Sequence, residues 1–155
     1  MNFRDVFQLV VLAFFLLVFL GRGLILWLRQ GINPFAVGTG KKGLPRLLEL
    51  ALLPLLVLWI LEIFFSVLHS SFGLIPAAWN PLPVGSFPLK MIGALLILFG
   101  NFVFVWALIS FGNSWRVGID EKKAGILVTN GIFAFSRNPI FAFIDLYFIG
   151  TFLVN

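Results

Sequence analysis

Apolar residues fall in four long runs, separated by stretches of 18 to 29 residues. The first run extends from about Val6 to Leu28, the second from Leu47 to Leu68 and the third from Leu89 to Ile109. The fourth opens near Pro139 and is still apolar at Asn155. About 20 helical residues cross a hydrocarbon core of roughly 30 Å, and each of the first three runs is long enough. A backbone in lipid must satisfy its own hydrogen bonds, so the pattern predicts helices and not open strands. The expected fold is an all-α integral membrane bundle of four helices (6–28, 47–68, 89–109 and 139–155), read as one domain over residues 1–155. Pro54 falls inside the second helix and predicts a kink there.

Composition agrees with this class. Of 155 residues, 61% are hydrophobic and 11% charged, where a soluble domain carries about 25% charged residues. With no cysteine, disulfide frameworks and thiolate sites are excluded. His69 is the single histidine, so no metal site is expected. The net charge of +5 is read as a positive-inside signal and not as a nucleic-acid footprint. Arg29, Lys41, Lys42 and Arg46 lie in the first loop, and Arg116, Lys122, Lys123 and Arg137 in the third. The proline-rich second loop, from His69 to Pro88, has neither lysine nor arginine. Loops 29–46 and 110–138 are therefore expected in the cytoplasm and the amino terminus outside. Arg4 precedes the first run as in a signal peptide, but no A-x-A-like cleavage site follows, so the segment is expected to be a retained anchor.

Several polar features have plain readings. VGTGKKG contains a literal G-x-G-x-x-G at Gly38, Gly40 and Gly43, but it sits in a loop between spans, without the strand and helix that a dinucleotide fingerprint needs. DEKK, residues 120–123, reads as a solvated charge cluster. Glu62, Ser66 and His69 share a face of the second helix by their spacing. They lie toward its far end, and pairing between helices is the expected role of Glu62. Gly93 and Gly100 could pack a neighbouring helix, either within the chain or in an oligomer.

The stretch LVTNGIFAFSRNPIF, residues 127–141, has a different character. Asn138 followed by Pro139 is a helix start, a favoured cap before the one position where proline costs nothing. First-turn amides there favour an anion, and Arg137 adds a fork of donors suited to carboxylate or phosphate. Gly131 permits a sharp turn. Asn138, Phe141 and Asp145 fall on one face of the fourth helix, with Asp145 about 9 Å below its start. An acidic group at that depth is a candidate to line a site.

GNSWRVGID followed by this stretch resembles the integral-membrane methyltransferases of the isoprenylcysteine carboxyl methyltransferase-like family, a broad group that includes phospholipid methyltransferases. The resemblance covers roughly residues 112–153, with the loop motif within 112–141. It implies S-adenosylmethionine as cofactor, bound at the cytoplasmic face, and a lipophilic or small methyl acceptor reached from the membrane. It further implies that Thr129, Gly131 and Phe133 shape the cofactor loop, with Arg137, Asn138 and Pro139 as its floor. The physical expectation is that Arg137 and the helix-start amides hold the cofactor's carboxylate while Phe141 meets its adenine or sulfonium side. Trp115 and Arg116 match the family's preceding segment and are expected to help close the pocket. Asn138 stands where the family usually has histidine, Phe141 where it has tyrosine and Ile132 where it has proline. The family's carboxy-terminal acidic pair and tyrosines have no counterpart here, so the chain is expected either to be a truncated piece of a larger catalytic unit or to have lost half of the site. No catalytic acid or base is assigned. Two other readings remain open: a nicotinamide-dependent membrane reductase of sterol-reductase type, and a non-catalytic membrane subunit.

Overall fold

The computed structural model describes residues 3–31, 33–34, 37, 42–68, 86–117 and 127–154. Four helices form in chain order: α1 (Phe3–Gln30), α2 (Leu44–Val67), α3 (Phe87–Phe111) and α4 (Pro139–Val154). Each coincides with one of the four apolar runs, and no strand occurs among the described residues. Three segments are long and apolar enough to cross a membrane, Phe3–Arg29, Arg46–Val67 and Phe87–Ser114. The fourth helix has 16 residues and so spans about 24 Å, less than a full hydrocarbon core. α2 continues through Pro54 as a single helix. His69, the DEKK cluster and most of VGTGKKG lie outside the described residues.

Contacts fix the relative direction of three of the helices. Phe15 of α1 packs against Phe104 of α3, ring centroids 5.1 Å apart, and Arg22 further along α1 reaches the carbonyl of Gly112 just beyond α3. α1 and α3 therefore run parallel. α4 returns antiparallel to α3, with Gly150 opposite Gly93 and Phe143 opposite Gly100. Loop 127–138 and the amino-terminal end of α4 thus share one end of the bundle with the carboxy-terminal ends of α1 and α3.

The core is aromatic. Phe15, Phe104 and Phe143 meet at its centre, with Phe104 and Phe143 4.7 Å apart and Phe15 and Phe143 5.2 Å apart. Trp59 of α2 meets Tyr147 edge-on at 5.2 Å. On α1 the buried positions Asp5, Gln8, Leu12, Phe15 and Leu26 follow the spacing of one helical stripe. Asp5 pairs with Arg4 at 3.3 Å. α2 is different, since among its described side chains only Ile63 and Val67 are buried. Leu47, Leu55, Val57 and Leu58 point outward, which a surface bathed in lipid tolerates because acyl chains are as apolar as leucine.

Gly93 and Gly100 face α4, so the small-residue face packs within the chain. A methyl group at Gly93 would fall 2.8 Å from the Gly150 carbonyl oxygen. Asn101 on the same helix is buried and donates through Nδ2 to the Ile97 carbonyl at 3.0 Å. Its donor is thus turned back onto its own helix, while its Oδ1 is buried with no hydrogen-bond partner. Glu62 is half-buried on α2.

Candidate functional site

The chain leaves α3 through a left-handed glycine, Gly112 at φ 51°, and a short 3-10 turn, Gly112–Ser114. Trp115 then turns inward. It is 1% exposed and meets Phe19 of α1 edge-on at 5.5 Å. Two residues on, the Val117 amide donates to the Pro34 carbonyl at 2.7 Å. Trp115 is thereby a packing residue that locks the end of α3 to α1. Arg116 between them is half-buried, and its Nε is shielded from solvent with no hydrogen-bond partner.

Loop 127–138 folds back over the end of α3. Its pivot is Gly131, at φ +61°, which opens the 3-10 turn Gly131–Ala134. The Phe133 amide donates to the Asn130 carbonyl at 3.2 Å, and the Phe135 and Ser136 amides both donate to the Ile132 carbonyl at 3.0 Å. Ile132 is buried, and Phe133 rests edge-on against Phe111 at 4.5 Å. These two side chains dock the turn. A methyl group at Gly131 would overlap the Ser110 hydroxyl and lie 3.7 Å from Trp106 Nε1.

Gly131→Ala is therefore expected to loosen the docked loop. The serine hydroxyl can rotate away, so the left-handed backbone is the larger cost, about 1 to 2 kcal/mol. Limited proteolysis between residues 127 and 138 should accelerate roughly five- to thirty-fold, with helicity by circular dichroism retained. An unchanged cleavage rate would show that the loop is not held through this turn.

The folded-back loop leaves an open recess of about 260 Å³ against α3, lined by Ser110, Ser114, Leu127, Val128, Thr129 and Asn130. Hydroxyls of Ser110, Ser114 and Thr129 and the Asn130 amide give it polar walls beside two aliphatic side chains. Of the residues expected at the site, Thr129 lines this recess and Gly131 and Phe133 build its border. Ser110 lies outside both quoted stretches, and Ser114 and Asn130 lie within them but without an expected role. The available signal was a pair of serines four apart, one in the last turn of α3 and one just beyond it.

The second half of the motif points elsewhere. The Asn138 carbonyl accepts the first intrahelical bond, from the Ala142 amide at 3.2 Å, so Asn138 holds the cap position and Pro139 the first helical one. The Asn138 amide donates to the Ser136 hydroxyl at 3.3 Å. Pro139 is buried, with Phe143, Tyr147, Gly150 and Val154 on the same packed face of α4. The opposite face is open: Arg137, Asn138, Phe141 and Asp145 are all exposed, and Phe148 and Phe152 continue it. The predicted residues thus form two adjoining groups, one around the recess and one along the outer face of α4. Pro139 and Trp115 lie in the core between secondary elements.

Residues 89–155 match the family model of phospholipid methyltransferases. That segment comprises nearly all of α3, the loop and all of α4, and it includes every residue of the two groups. The match bears out the resemblance drawn from GNSWRVGID and the loop motif, and it supports a membrane methyltransferase. No curated protein and no solved structure matches the chain.

Proposed function

We propose that this chain binds S-adenosylmethionine at the loop end of the bundle and methylates a lipophilic or small acceptor that reaches the site from the membrane. One observation carries the reading. The segment that matches phospholipid methyltransferases, residues 89–155, is the segment whose loop folds back to leave a polar recess and then opens α4 with Arg137 and Asn138 exposed. When bound, the cofactor supplies a methyl group on a sulfonium.

The fit of the residues to this group is good at two places. Thr129 and Asn130 bring a hydroxyl and an amide to the recess. The amides of Ile140 and Phe141 belong to the first turn of α4, where helical donors have no intrahelical acceptor, and they favour a carboxylate. Arg137 stands exposed directly before them. Small-molecule sites usually measure about 300 to 1,000 Å³, so the recess accommodates part of the cofactor and the open α4 face carries the rest. Phe141, 58% exposed, offers an aromatic face to a cation. Transfer from a sulfonium requires alignment and exclusion of water more than acid or base, which suits a recess whose described lining carries no ionisable acid. The loops at this end are assigned to the cytoplasm by their lysine and arginine content.

Calorimetric titration of the detergent-purified chain with S-adenosylhomocysteine, and separately with NADPH, tests the proposal. Saturable binding of S-adenosylhomocysteine alone is the expected result. Binding of NADPH alone would replace it with the reductase reading. Binding of neither, together with a stoichiometric protein partner, would make the chain a non-catalytic subunit.

A further inference from the structure

We infer that Arg22 and Arg116 form a binding site for the phosphate oxyanion of a membrane phospholipid, at the junction of α1 and α3 and apart from the cofactor loop. Arg22 lies within the apolar segment Phe3–Arg29, where a charge is costly and is retained when something pairs with it. One terminal nitrogen donates to the Gly112 carbonyl at the end of α3, a position where a cation suits the helix's negative pole. That bond engages one of the five donors of the guanidinium. The Nε of Arg22 is buried and has no hydrogen-bond partner.

The backbone of Arg116 is held near the same turns of α1 by its neighbours. Trp115 packs on Phe19, and a methyl group placed on Gly23, the residue after Arg22, would meet the Trp115 ring at 3.8 Å and Pro34 at 3.6 Å. Val117 bonds to that same Pro34. Both flanks of Arg116 are therefore tied to the stretch of α1 that carries Arg22. The Nε of Arg116 is likewise buried without a hydrogen-bond partner. Among the described residues neither arginine pairs with a carboxylate.

Two arginines, each with one unmet Nε donor and held to the same junction of α1 and α3, are an arrangement that an oxyanion would complete. Phosphate accepts several N–H bonds at once, and the planar fork of arginine matches it better than lysine does. The source of the oxyanion follows from depth. Arg22 lies about 10 Å before the end of the apolar segment at Arg29, and its aliphatic stem carries the charge to the Gly112 carbonyl at the end of α3, toward the layer of lipid phosphates. Four and eight residues earlier on the same face of α1, Val18 is half-buried and Phe14 exposed, which provides apolar surface for an acyl chain running inward. The site stands independently of methyl transfer.

Native mass spectrometry of the full chain in detergent tests this, with phosphatidylglycerol, diacylglycerol of the same chain length and inorganic phosphate as separate probes. The expected result is one tightly held phosphatidylglycerol and no retained diacylglycerol. Arg116→Gln should weaken phosphatidylglycerol about tenfold or more, and Arg116→Lys, which keeps charge and stem but not the fork, should also weaken it. Arg22→Gln removes a bond to α3 as well, so the Arg116 variants are the deciding ones. Equal retention of phosphatidylglycerol by the wild type and Arg116→Lys would overturn the site. Displacement of the lipid by an equal concentration of inorganic phosphate would overturn the lipid assignment in favour of a soluble oxyanion.

Discussion

Replacing Arg137 by alanine is expected to weaken S-adenosylhomocysteine binding by about 1.5 to 3 kcal/mol, the range for a hydrogen bond to a charged group. In dissociation constant that is about a ten- to 150-fold loss. The residue is exposed, and no ion pair or hydrogen bond engages it among the described residues. Its removal should therefore leave the fold unchanged. Pro139, two residues on and buried, would not give so clean a test. Arg137→Lys separates charge from geometry: it keeps the cation but loses the two-pronged donor that fits a carboxylate, and should fall between wild type and alanine. Calorimetric titration of the three proteins checks this. Unchanged affinity in a folded Arg137→Ala would remove Arg137 from the site and leave the α4 amides to hold the carboxylate alone.

The second large effect is structural. Gly150→Ala is expected to cost about 1 to 3 kcal/mol, the usual range for overpacking a close contact. The new methyl group would lie 2.7 Å from the Gly93 carbonyl oxygen and 3.0 Å from the Ile97 amide nitrogen. A side chain can turn aside from such a clash, but two helix backbones can only move apart. Gly93→Ala faces a carbonyl at 2.8 Å and should behave alike, whereas Gly100→Ala meets Leu146 and Phe143 at 3.3 and 3.4 Å and should be milder. Combining Gly93→Ala with Gly150→Ala should cost less than the sum, because the first substitution has already separated the helices. Unfolding in mixed micelles measures all four variants. Wild-type stability in Gly150→Ala would contradict a direct backbone contact between α3 and α4. The effect matters for the site because α4 carries the loop's exit and the helix start at Asn138, while α3 carries Ser110 and Ser114. In lipid the two helices are held by packing and not by exclusion from water, so close fit at the glycines is what positions the two halves of the site.

Sequence pattern alone determined the four helices, the start of α4 at Asn138–Pro139 and the turn at Gly131. Each rests on a local rule: an apolar run in lipid must close its own hydrogen bonds, proline follows a cap, and a left-handed turn takes glycine. The likeness of the carboxy-terminal part to phospholipid methyltransferases was also legible, as a resemblance carried by GNSWRVGID and the loop motif. Only the tertiary structure decided which side of each helix is covered. In a soluble protein polar residues mark the outer face, but core and lipid are equally apolar, so α3 and α4 carry almost no such mark. That is why Phe143 and Phe141, two residues apart and chemically identical, end on opposite sides, one in the aromatic core and one on the open face. It is also why Trp115 turned inward to Phe19 when its position beside the loop suggested a site wall, and why the Gly150 partner of Gly93 had no sequence signal. α1 shows the contrast. Asp5 and Gln8 stand on its buried stripe, and polar groups there need internal partners that lipid cannot provide.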